Sequence, residues 1–90
     1  MRRKTYLSSI EGMNLEIEAD SQMDFDERKS SFLIRAIRYA SGMNRKEFCN
    51  WLKIPYRTMQ EWELGGRIMP KYVLELIAYK VHTEKLAGRI

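Results

Sequence analysis

Between Gly42 and Pro70 the chain reads GMNRKEFCNWLKIPYRTMQEWELGGRIMP, two short amphipathic segments set about a tight turn. In the first segment Phe48, Cys49 and Leu52 share one helical face, while Arg45, Lys46, Asn50 and Lys53 fall elsewhere. In the second, Met59 and Trp62 point inward at i, i+3, and Tyr56, Arg57, Gln60 and Glu61 project outward. Ile54 precedes a proline and so avoids the helical region, which ends the turn. Pro55 can open the second helix. Leu64-Gly65-Gly66 closes it.

The flanking residues supply the rest of a helical domain. Asp24 followed by Glu27 is a plausible capping box. Phe25, Phe32, Leu33, Ala36, Ile37 and Ala40 then form an apolar stripe up to Gly42, whose missing Cβ permits a left-handed C-cap. Asn44 caps the next helix, and Pro70 sits at the first turn of the last one. These signals predict helices near 25–41, 45–52, 56–64 and 70–85, with residues 84–90 frayed. The last helix is apolar on two sides, Val73, Ile77 and Val81 toward its own core and Tyr72, Leu76 and Tyr79 on a neighbouring stripe. The expected fold is all-α, a compact domain of four main helices over residues 24–90 with an extension, residues 1–23. In that extension Leu15, Ile17 and Ala19 alternate with acids as a strand would, yet Ile10, Met13 and Ile17 also suit a helix. Seven acids and no base lie between Glu11 and Glu27. Charge at that density marks a partner-facing or weakly ordered arm.

Composition excludes more than it selects. Ninety residues make one small domain, without room for a separate substrate lobe. One cysteine allows no internal disulfide, and with one histidine no zinc site or Cys/His catalytic pair is expected. His82 reads as an exposed tail-helix residue. No apolar run approaches a membrane span, and Met-Arg-Arg-Lys is not followed by the apolar stretch of a signal peptide, so the cytoplasm is the expected compartment. No phosphate-cradling glycine loop and no nucleophile with its base is present, so neither catalysis nor a cofactor is expected. Residues 25–90 carry thirteen bases and seven acids, net +6, which suits a polyanion.

The two-helix unit resembles the helix-turn-helix of the Cro/phage-repressor-like (XRE) family over roughly residues 31–81. The resemblance implies a small transcriptional regulator, repressor or antitoxin-like, that binds double-stranded DNA as a homodimer. The second helix of such a unit enters the major groove with its N-terminal residues at base edges. The base-reading positions match Tyr56, Arg57, Gln60 and Glu61. Arg57 suits guanine and Gln60 adenine. Glu61 either accepts from cytosine or pairs with Arg57 inside the chain. Tyr56 either touches a thymine methyl or phosphate, or lies over the turn to cover the core. Asn44, Arg45, Arg67 and, more weakly, Lys71 match phosphate-contacting positions. Lys46, Lys53, Lys80 and Lys85 read as solvated surface.

The resemblance also implies that Arg38 near the end of the first helix pairs with Glu63 near the end of the reading helix, a structural tie. Cys49 stands where the family prefers alanine, which its small size explains. Three departures stand out, one being that the fifth helix seen in many relatives has no counterpart after Val81. Lys53 occupies the turn position usually held by glycine, and Pro55 replaces the usual Ser or Thr cap. A rival reading keeps the helix-turn-helix as scaffold and assigns residues 11–27 or the last helix to a protein partner such as a toxin.

Overall fold

A computed structural model describes residues 3–90, and they begin with a hairpin, not a helix. Strands β1 (Lys4–Ile10) and β2 (Met13–Ala19) pair antiparallel, and helices α1 (Gln22–Glu27), α2 (Lys29–Ser41), α3 (Arg45–Leu52), α4 (Tyr56–Leu64) and α5 (Lys71–Leu86) follow. The fold is therefore mixed α/β, and the all-α expectation is corrected. Period-two alternation decides the extension: Met13, Leu15, Ile17 and Ala19 are buried while Asn14, Glu16 and Glu18 face solvent. Of the acids that suggested a loose arm, Glu16 and Glu18 are the outer face of this strand, Glu11 sits in the hairpin turn, and Asp24, Asp26 and Glu27 belong to α1. Each buried Met, Leu or Ile contributes about 1.5–3 kcal/mol. That burial is what a two-stranded hairpin, marginal on its own, requires.

The hairpin packs on α1, α2 and α5 and shares one hydrophobic core with them. Tyr6 stacks on Phe25, centroids 5.1 Å apart. At the turn, Glu11 (φ 46) and Gly12 (φ 83) are both left-handed, the geometry of a two-residue hairpin loop. His82 of α5 lies against it: a Cβ at Gly12 would come within 2.8 Å of its Nε2. The imidazole is half-buried there, not simply exposed. Gly12→Ala is expected to destabilise by about 1–3 kcal/mol, from the left-handed backbone and the displaced ring. Denaturant titration of Gly12→Ala with and without His82→Ala separates the two contributions, the second change recovering only the steric part.

The predicted first helix is two. Ser21, not Asp24, is the N-cap, its Oγ accepting from the Asp24 amide at 3.1 Å, so α1 starts before the proposed capping box. Arg28, at φ −117 and ψ 27, breaks the run before α2. Ile34 and Ile37 at the centre of α2 are wholly buried, and Ser31 donates to the Trp62 carbonyl at 2.8 Å, tying α2 to α4. In α5 the core face is Leu74, Ile77, Ala78 and Val81, with Val73 only half-buried. Tyr72, Leu76 and Tyr79 stay 60–67% exposed, so the hairpin does not cover that stripe. The expected fraying from residue 84 is also corrected. The helix holds to Leu86, Lys85 donates to the Ala40 carbonyl at 2.7 Å, and Arg89 pairs with Glu84. Among the described residues no helix is long and apolar enough to cross a membrane.

Candidate nucleic-acid interface

Local chemistry fixes the α3–α4 unit at both ends. Asn44 and Glu47 form a full capping box: Oδ1 accepts from the Glu47 amide at 2.8 Å, and the Glu47 carboxylate accepts from the Asn44 amide at 3.0 Å. Phe48 and Cys49 are buried beneath α3. Lys53 then adopts the left-handed conformation, φ 58 and ψ 43, where the family's glycine would sit. The turn is closed by the amides of Lys53 and Ile54, which both donate to the Cys49 carbonyl. The strain of a left-handed non-glycine residue, about 1–2 kcal/mol, is borne by the rest of the fold. Pro55, at φ −57, opens α4, which buries Met59, Trp62 and Glu63.

Glu63 is the electrostatic centre of the unit. Its carboxylate is fully buried and receives two bonds from Arg38, Nε to Oε2 at 3.0 Å and Nη2 to Oε1 at 2.9 Å. This two-pronged geometry suits a guanidinium. The pair expected from the resemblance thus links α2 to α4. Sequence reasoning missed a second cation: Nη2 of Arg45 lies 3.5 Å from Oε1, and its guanidinium stands over the Tyr56 ring at 5.8 Å. Burial works against the Arg45 charge, but Tyr56 and the Glu63 carboxylate more than offset it and hold its pKa above the usual value. Arg45 is therefore partly engaged inside the scaffold. Reaching a phosphate means drawing it away from Glu63. Tyr56 serves this stack while staying 47% exposed.

The outer face of α4 carries a second cluster. Arg57, with a side chain 89% exposed, sits 3.6 Å from Glu61, one helical turn on. Arg67 approaches the same carboxylate from the loop, Nε to Oε2 at 2.9 Å. That loop returns because Gly65 is left-handed and the amides of Gly66 and Arg67 donate to the Glu61 carbonyl. In the free chain Glu61 is thus an intramolecular partner of two arginines, and the cluster is net +1. The Arg57–Glu61 spacing was legible as an i, i+4 pair; Arg67 was not, because the loop brings it back. Gln60 is half-buried beside this cluster. Asn44 is occupied as a cap, and Lys71 stands exposed at the start of α5 without an ion pair among the described residues.

Burial, and after it the Glu63 charge, pushes the Cys49 thiol up against the opposing Arg45 and Arg38 charges, which disfavours the thiolate. Among the described residues no group of His, Cys, Asp and Glu is placed to hold a metal ion. The geometry defines a two-helix unit with a cationic outer face on a mixed α/β scaffold. Comparison with family models, curated proteins and solved structures gives no match.

Proposed function

We propose that the protein is a sequence-specific DNA-binding regulator of the repressor or antitoxin-like kind, acting in the cytoplasm as a two-fold dimer. The observation that carries this reading is the exposed outer face of α4, where Arg57 pairs with Glu61 and Arg67 of the following loop reaches the same carboxylate. Arg57 is the principal base reader, with Gln60, Tyr56 and Glu61 at neighbouring base edges. A guanidinium can satisfy two acceptors of guanine at once. Arg67, Lys71, the α3 terminus and Arg45 set register on phosphates. The exposed stripe of Tyr72, Leu76 and Tyr79 joins two copies, so that their α4 helices read half-sites about 34 Å apart.

The test is a footprint on the DNA upstream of the gene. Protection of an inverted repeat, reduced to weak and non-cooperative binding by Leu76→Glu, supports the reading. No protection at low salt overturns it. A second reading, a protein-docking module, is favoured by the apolar exposure of Leu64 (63%) and Ile68 (88%).

A further inference from the structure

We propose that the free edge of β1 pairs with β1 of a second copy of this chain, antiparallel about Leu7, forming a four-stranded sheet across the two molecules. Among the described residues the sheet has two strands and thus two unpaired edges. Ile10 and Met13 flank the two-residue turn and face each other, so they exchange backbone hydrogen bonds. Counting back in twos, Ser8, Tyr6 and Lys4 also direct their amides and carbonyls at β2. Those of Thr5, Leu7 and Ser9 point away, onto the open edge.

The two edges differ in what they would accept. The outward positions of β2 are Asn14, Glu16 and Glu18. A copy of β2 paired about Glu16 would set glutamate against glutamate, the kind of charge that keeps edges apart. The outward positions of β1 carry no charge, and Leu7 at their centre is 79% exposed. Paired about Leu7, leucine meets leucine and Thr5 meets Ser9 at both ends. Beyond the paired strands, Arg3 of one copy comes toward the turn that carries Glu11 of the other, so opposite charges approach at both ends, with Arg3 lying 3.8 Å from Asp20 in the single copy. No like charges oppose each other in this register. About six backbone hydrogen bonds would form across the junction. The contact is separate from α5 and does not depend on the DNA reading. Together the two surfaces would let dimers associate further.

Sedimentation equilibrium without DNA tests it, using wild type, Leu7→Lys, Leu76→Glu and the double variant. Leu7 is exposed, so Leu7→Lys is expected to keep the wild-type circular dichroism and unfolding midpoint while placing like charges across the junction. The expected result is that Leu76→Glu still dimerises at hundreds of micromolar and the double variant is monomeric. Amide exchange at Thr5, Leu7 and Ser9 in the Leu76→Glu protein should slow by about tenfold on raising its concentration. A monomeric Leu76→Glu protein with fast, concentration-independent exchange at those amides would overturn the proposal. So would equal masses for Leu76→Glu and the double variant at every concentration.

Discussion

Replacing Glu63 by Gln, or Arg38 by Met, is expected to cost about 3–5 kcal/mol of stability, a large share of the roughly 5–15 kcal/mol of a small domain. Gln retains the volume of the side chain but leaves two guanidinium groups facing a neutral amide. The Arg38 and Arg45 side chains are only 11% and 23% exposed, so water offsets little of that loss. Arg38→Met instead strands the fully buried carboxylate, with Arg45 at 3.5 Å as its remaining partner. Denaturant midpoints with unchanged slopes would measure both. A loss below about 1 kcal/mol, the range of an exposed pair, would reject the scaffold role assigned to Glu63. Arg45→Ala belongs to the same network, so its effect on DNA must be read after its effect on folding.

Arg57→Ala is expected to weaken a specific site by about 1–3 kcal/mol and to relax preference at one base pair, with little change on random DNA. The Arg57 side chain is 89% exposed and tied only to Glu61, so its removal leaves the fold intact and the acid to Arg67. Arg67→Ala should weaken all sequences alike, because a phosphate contact carries no base information. Competition binding with specific and scrambled duplexes distinguishes them. Equal losses on both duplexes for both variants would remove Arg57 as a reader.

The α3–α4 portion was legible because each signal was local and redundant. The Asn44 cap, the Ile54-Pro55 step and the Gly65 stop bound α3 and α4 to the residue, while the Glu47 half of the Asn44 capping box was not read. The hairpin was not, because Glu11 stands where Asn or Asp would have marked a two-residue turn, and because Met13 and Ile17 satisfy helical spacing too. Ser21 is hard to read as a cap because Asp24 and Glu27 offer a fuller local pattern three residues on. At the candidate site, the pairing of Arg38 with Glu63 could be anticipated by position. The engagement of Arg45 with Glu63 and Tyr56, and of Arg67 with Glu61, depends on how α4 and its following loop return in space. Periodicity carries no record of that.

A cationic face around α4 that binds the DNA backbone while reading bases makes affinity steeply dependent on salt. With about four to six phosphates neutralised per domain, the logarithm of affinity should fall against the logarithm of salt concentration with a slope of about −4 to −5. Arg67→Ala should reduce that slope by about 1. A flat response, or no binding to genomic fragments at low salt, would rule out DNA binding by this face.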